Sequence, residues 1–238
     1  MTWWSRWSPR SDPPGGCVAL AALLLMAAAP ELVDQYDRLF DAHDYGTLAE
    51  QLKQGMETAA TARSTLAWEQ QRFAAGSSVF IGAMYALDLI GAGTDGKDAS
   101  SVARIRESAA TSHSTPWPRS RTDGTKCAEA GAAAARRRQF IQILTPVWIE
   151  LRKLPDDTVP RVLAQALDEE SALAAVRAPD DYLCRGFTGD IPDALASGGK
   201  EHPPRFVAPE DWTPRAVAVR AKLPGLITEF AVRVKSGS

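Results

Sequence analysis

The chain has 238 residues, 45% hydrophobic and 24% charged, the composition of an ordinary globular protein long enough to bury a real core. Its formal net charge of −2 and pI near 6.0 set up no strong field, so the overall balance argues against nucleic acid, an anionic membrane surface or a polyanionic substrate as partner. Arginine outnumbers lysine and alanine is abundant, which a GC-rich bacterial genome explains as well as any need for guanidinium chemistry.

At the amino terminus, Arg6 and Arg10 precede an apolar run from Cys17 to Ala29, and polar residues begin at Glu31. Positive, greasy, then small at Ala27 and Ala29 is the order of a secretory signal. The apolar run of 13 residues is shorter than the roughly 20 that cross a bilayer. We therefore expect 1–29 to be a signal segment, 30–238 to be a single helical domain, and the protein to be periplasmic or secreted. Pro30 just after the cut, and the aromatic Trp3, Trp4 and Trp7, leave an uncleaved anchor or a buried amino-terminal helix as the alternative. Membrane contact is expected only through such an uncleaved segment. Gly15-Gly16-Cys17 resembles the end of a lipobox, but here the apolar run follows the cysteine.

Removing 1–29 takes Cys17 with it and leaves Cys127 and Cys184. In an oxidising compartment such a pair bridges, whereas in a reducing one it more often stays as two thiols. Export and disulfide are thus one expectation. Closing a loop of about 57 residues stabilises a fold by roughly 4 kcal/mol in the chain-entropy model.

From 31 to 44, Leu32, Val33, Tyr36, Leu39, Phe40 and His43 share one side of a helix and four aspartates gather beside them. Asp44-Tyr45-Gly46 breaks it, and a second helix from near Thr47 completes a hairpin. A long third helix is expected from about Thr58 to Ile90, with Leu66, Phe73, Phe80, Met84 and Leu87 at helical spacing and a small-residue surface at Gly76, Ser77, Ser78, Gly82 and Ala83. Gly91 to Gly96 ends it, Ala99 to Ala110 reads as a short polar helix, and Ser112 to Gly124 reads as an exposed connection around Pro116 and Pro118. Cys127 opens the next helix, in which Pro146 either makes a kink or starts a new helix capped by Thr145. A further helix spans about Thr158 to Val176. From 186 to 211 glycine and proline crowd into a long irregular loop, and Thr213-Pro214 starts the closing helical segment. Residues 226–235 also alternate as a strand would, but everything before them is helical. The expected fold is all-α: an irregular bundle of about six to seven helices with the long loop before the last.

The search for chemistry is nearly empty. His43, His113 and His202 lie far apart, and no zinc, di-iron, Walker, dinucleotide or nucleophile-elbow motif occurs. No cofactor or metal is expected. Asp88 stands out because it lies in the otherwise apolar stretch from Phe80 to Ile90, where a desolvated carboxylate needs a partner or takes a raised pKa. With Tyr85 on the same side it forms a candidate pocket acid, as does Glu69. The structural alternative pairs Asp88 with Arg104, Arg106 or Arg136, or leaves it exposed near the helix end, and pairs Glu69 with Arg72. Positive charge concentrates between Arg119 and Arg138, and Arg136, Arg137 and Arg138 form a candidate surface for an anionic partner, or a solvated outer face. No interleaved aromatic platform favours nucleic acid. The functional expectation is a non-enzymatic binding, scaffold or accessory module of the cell envelope, with an envelope protein as possible partner. The alternative is a helical enzyme using Asp88 with Tyr85.

Overall fold

The computed structural model describes residues 18–93, 107–110, 115–174, 177–185 and 203–236. Helices α1 (Val18–Asp41) and α2 (Tyr45–Gly55) form the expected hairpin. The turn between them is a left-handed helix stop, in which the Asp44 amide donates to the Leu39 carbonyl at 2.9 Å and the His43 amide to Phe40 at 3.0 Å. Such a stop puts its central residue at positive φ, usually a glycine. Here His43 occupies it, at 57°. Asp44 then caps α2, accepting from the Thr47 amide at 3.1 Å. Helix α1 runs through Pro30, so the boundary expected after residue 29 lies inside a helix. Residues 1–17, including Cys17, lie outside the described residues. Among the described residues no helix is long and apolar enough to cross a membrane.

The expected long third helix is two helices, α3 (Ala59–Ala74) and α4 (Val79–Gly93). What separates them is a second left-handed stop: the Ser77 amide donates to the Arg72 carbonyl at 3.1 Å, the Gly76 amide to Phe73 at 3.0 Å, and Gly76 has a φ of 79°. Ser78 then begins α4 by accepting from the Phe80 amide at 3.2 Å. Gly76, Ser77 and Ser78 therefore form a stop and a cap rather than a small-residue face. Gly82 does mediate a close approach, since a Cβ there would lie 2.5 Å from the Phe73 ring.

The stretch expected to be an exposed connection contains helix α5 (Pro116–Asp123), followed by a 3-10 turn (Gly124–Lys126). It is buried at Pro116, Pro118, Arg119, Ser120, Thr122 and Asp123. Proline is tolerated in the first turn because no intrahelical partner awaits its missing N–H. Cys127 does not open a helix. It lies in an extended segment bridged to Phe206, with the Ala128 amide on the Arg205 carbonyl at 2.8 Å and the Val207 amide on Lys126 at 2.9 Å.

Helices α6 (Ala130–Ile143) and α7 (Thr145–Arg152) adjoin at Leu144, so Pro146 lies in the first turn of a new helix. Thr145 does not cap it; its hydroxyl donates back to the Ile141 carbonyl at 3.4 Å. Helix α8 (Thr158–Leu173) and the one-turn α9 (Asp181–Cys184) follow. Of the long loop, 186–202 lie outside the described residues, and helix α10 (Pro209–Arg220) begins at Pro209, placing Pro214 in its interior instead of at its start. Helix α11 (Leu223–Ser236) resolves the closing ambiguity in favour of helix. Of the helix expected at Ala99 to Ala110, residues 107–110 are described, and they are helical.

The chain is all-α, with eleven α-helices among the described residues where six or seven were expected. The excess comes from the break at Gly76, the separate α6 and α7, the short α5 and α9, and the division of the closing segment into α10 and α11. Tyr36, Leu48, Leu52, Ile81, Leu151, Leu183 and Leu223 are fully buried, so hairpin, α4, α7, α9 and α11 share the interior.

Candidate functional site

A helix of four residues does not hold itself together in water. Helix α9 is secured at both ends instead. Its last residue, Cys184, is disulfide-bonded to Cys127 with Cα atoms 5.0 Å apart. At its start, Asp180 accepts from the Leu183 amide at 3.3 Å. The same carboxylate accepts from the Ser78 hydroxyl at 2.9 Å and the Val79 amide at 2.7 Å, so one buried group caps both α9 and α4. Burial pushes the Asp180 carboxyl up to about 6, against those hydrogen bonds and with the help of nearby Asp123.

This anchored turn lines one wall of a cleft of about 500 Å³. The α1–α2 turn supplies His43, Asp44 and Tyr45, α4 supplies Phe80, α6 supplies Arg136, and the α9 segment supplies Tyr182 and Arg185. Tyr45, Phe80 and Tyr182 form a triangle of rings with centroids 5.1 to 5.2 Å apart. Arg136 lies over the Tyr182 ring at 4.9 Å and donates through Nε to the Arg185 carbonyl at 2.8 Å. Arg185 contacts Asp181 through Nε at 3.0 Å and Nη2 at 2.9 Å. His43 Nδ1 lies 3.3 Å from the same carboxylate and 3.4 Å from the Tyr45 hydroxyl. Burial above all, then Asp180 and Asp181, raises the Tyr45 phenol, which stays protonated at ordinary pH. The lining includes no Ser, Thr or Cys. It has an apolar floor of rings, with the guanidinium groups of Arg136 and Arg185 and the polar groups of His43 and Asp44 at the edge.

The acids singled out in the sequence lie elsewhere. Glu69 of α3 is fully buried, and neither of its carboxyl oxygens has a hydrogen-bond donor among the described residues. Facing it is the Asp88 carboxyl of α4. Burial drives Glu69 well above the usual carboxylate range, and Asp88 adds to the rise. Asp88 is pushed up to about 6, again by burial, with neighbouring Glu69 opposing. Tyr85 is pushed up to about 12 by burial and then by Glu69. Tyr36 of α1, hydrogen-bonded to Thr65 at 2.9 Å, feels both acids. Two carboxyls this close share a proton more readily than they ionise together.

Among the described residues, the arginines considered as partners for these acids are engaged elsewhere. Arg72 pairs with Asp37 at 2.6 Å, together with the Trp68 indole N–H at 2.6 Å, and so leaves Glu69 alone. Arg136 is at the aromatic cleft, and Arg104 and Arg106 lie outside the described residues. Asp88, Tyr85 and Glu69 are brought together across α3 and α4, yet they line neither the aromatic cleft nor a second cleft beside Arg137 and Arg138. The Arg136, Arg137 and Arg138 run is therefore divided between two clefts.

A buried ionic network gave no signal in the sequence. Arg177 meets Asp123 through Nε at 2.9 Å and Nη2 at 3.2 Å, and Glu170 through Nη2 at 2.9 Å. Lys126 adds to Asp123 at 3.2 Å, and Arg220 clamps Glu170 with two bonds of 2.8 Å. The network ties α5, α8 and α10 together, which is how a polar segment such as Pro116–Asp123 comes to be buried. Among the described residues no three His, Cys, Asp or Glu side chains gather as a metal shell. Comparison of the chain with family models, curated proteins and solved structures found no match.

Proposed function

We propose that this protein is a non-enzymatic binding module of an oxidising compartment, the periplasm or the extracellular space of a bacterium, and that its partner docks in the aromatic cleft. The observation that supports this reading is the position of the disulfide. It holds the one short helix whose residues line the cleft, and Cys184 falls between Tyr182 and Arg185. A covalent bond of this kind persists where thiols are oxidised. A ring floor with guanidinium groups at its edge fits a protein segment that presents an apolar side chain beside an acidic one. The enzyme reading has one observation in its favour, the raised carboxyls of Asp88 and Glu69, but neither described cleft reaches them.

The test is capture from envelope extract with the oxidised protein and with Arg185→Ala and Tyr182→Ala, each checked for native circular dichroism. The reading expects one retained partner, lost in both variants and on reduction of the disulfide. Equal capture by all three proteins, or two free thiols in protein isolated from the cell, overturns it.

A further inference from the structure

A second cleft, of about 260 Å³, opens between α5, α6 and α7. Arg121, Arg137 and Arg138 line it, and no carboxylate does. The contrast is with the buried ionic network of α5, α8 and α10. Arg177 and Arg220 are each met by carboxylates, whereas among the described residues none of these three arginines forms an ion pair. Arg121 lies over the Trp117 indole at 4.3 Å, and Trp117 is itself stacked on Phe230 at 5.2 Å, so the guanidinium is held in place by rings instead of by an acid. Its Nε is buried with no acceptor. The Arg137 Nη1 contact is the Ser120 carbonyl at 3.5 Å. Burial lowers the pKa of Arg121, with Arg233 adding, and of Arg137, with Arg121 and Arg138 adding. Like charges gathered without a counter-charge repel, and an anion among them removes that cost.

We propose that this cleft is a binding site for a phosphoryl group carried on an apolar or aromatic body. Guanidinium forks match the oxygens of phosphate in pairs, and three arginines lining one cleft without a carboxylate suit the several oxygens of a phosphate monoester or diester better than a single carboxylate. Trp148, Leu144 and Ile141 give the cleft its apolar side. A volume of about 260 Å³ lies just below the range usual for whole ligands, so the site takes the phosphoryl group and the carbons next to it. Ile141 is 47% exposed and continues the apolar surface outward, where the remainder of the ligand lies. A free phosphate ester and a phospholipid headgroup share this chemistry. The site is separate from the aromatic cleft and stands independently of it.

Calorimetric titration of the full chain with phenyl phosphate and with inorganic phosphate tests the proposal, alongside co-sedimentation with phosphatidylcholine vesicles with and without phosphatidylglycerol. Phenyl phosphate is expected to bind more tightly than inorganic phosphate and to weaken with added salt. Arg137→Gln and Arg138→Gln each weaken it about tenfold or more, the scale of one lost charge-assisted bond, while the melting temperature stays level or rises because repulsion is relieved. Arg138 is exposed, so its variant keeps the test valid if Arg137→Gln fails to fold. Retention on phosphatidylglycerol vesicles that both variants abolish assigns the lipid source; phenyl phosphate binding without it assigns a soluble ester. Absence of binding at millimolar phenyl phosphate, or binding unchanged in both variants, overturns the proposal.

Discussion

Replacing Glu69 with Gln should stabilise this protein at neutral pH, the opposite of what deleting a buried polar contact usually does. Glu69 is fully buried against Asp88, and its carboxyl is held well above its ordinary 4.5. The folded pair thus keeps a proton that the unfolded chain releases. For a group whose folded pKa is raised, the stability contribution is complete below the unfolded pKa and is lost as pH climbs toward the folded one. Each pH unit over which the folded pair keeps that proton and the unfolded chain does not costs about 1.4 kcal/mol, so the wild type loses stability as pH climbs above 4.5. Gln keeps the volume, is neutral throughout, and donates to Asp88 without requiring a proton. Urea and thermal unfolding followed by circular dichroism from pH 4.5 to 8 should show the variant within about 1 kcal/mol of wild type at the acid end. At pH 7 it should be more stable by about 1 to 3 kcal/mol, the scale of one or two pH units of retained proton, or about 2 to 12 °C higher in Tm for a chain of this size. A residual fall in stability toward pH 6 remains in the variant, from Asp88 and Asp180. A wild type whose stability is flat across this range, with Gln destabilising at pH 7, would show that Glu69 is ionised and paired with a cation, and would refute the reasoning.

The two left-handed helix stops respond in opposite senses. Gly76→Ala should cost about 1 to 2 kcal/mol, because φ there is 79° and the new Cβ lies 3.2 Å from Arg177 Cγ. His43→Gly should gain about 1 kcal/mol; equal melting temperatures for either variant and wild type would contradict this. Cys127→Ser should lower the unfolding free energy by about 4 kcal/mol in the chain-entropy model, and the intact oxidised protein should weigh two hydrogens less than its reduced form. Arg177→Met should cost about 3 to 5 kcal/mol by leaving Asp123 and Glu170 short of a buried partner, read as a shift in the urea midpoint at constant slope; a neutral result would mean that Lys126 and Arg220 suffice to hold the two acids.

The parts legible in the sequence are those written in short-range signals. The α1–α2 hairpin follows from apolar spacing and from the break at Asp44-Tyr45-Gly46, and the disulfide follows from counting cysteines. The break at Gly76 was legible too, since glycine before a serine cap is a stop signal, but the apolar periodicity on both sides outweighed it. Helix α5 was hidden for a different reason. Arg119, Thr122 and Asp123 look solvent-bound until Glu170, Arg177 and Arg220, some fifty to a hundred residues later, neutralise or satisfy their surroundings. The cleft beside Arg121 combines both cases: the arginine run was visible, but its division between two clefts depends on how α5 and α6 are placed. Asp88 was rightly conspicuous in an apolar stretch, yet no local pattern announces that its neighbour is a second acid.

Asp180 has a consequence for the order in which the chain assembles. The first turn of α4 donates to a carboxylate that lies 101 residues further along, and the partner of Cys127 comes only four residues after that carboxylate. The last cap of the amino-terminal half and the covalent closure both wait for 180–184 to be made. Until then the first turn of α4 lacks its Asp180 acceptor, and Cys127 is a free thiol. Such long-range closures slow folding, because loop entropy is lost before the contacts that offset it form. The chain thus commits to its final structure in one late step, and a truncation just before Asp180 should yield a loosely helical species instead of a smaller folded unit.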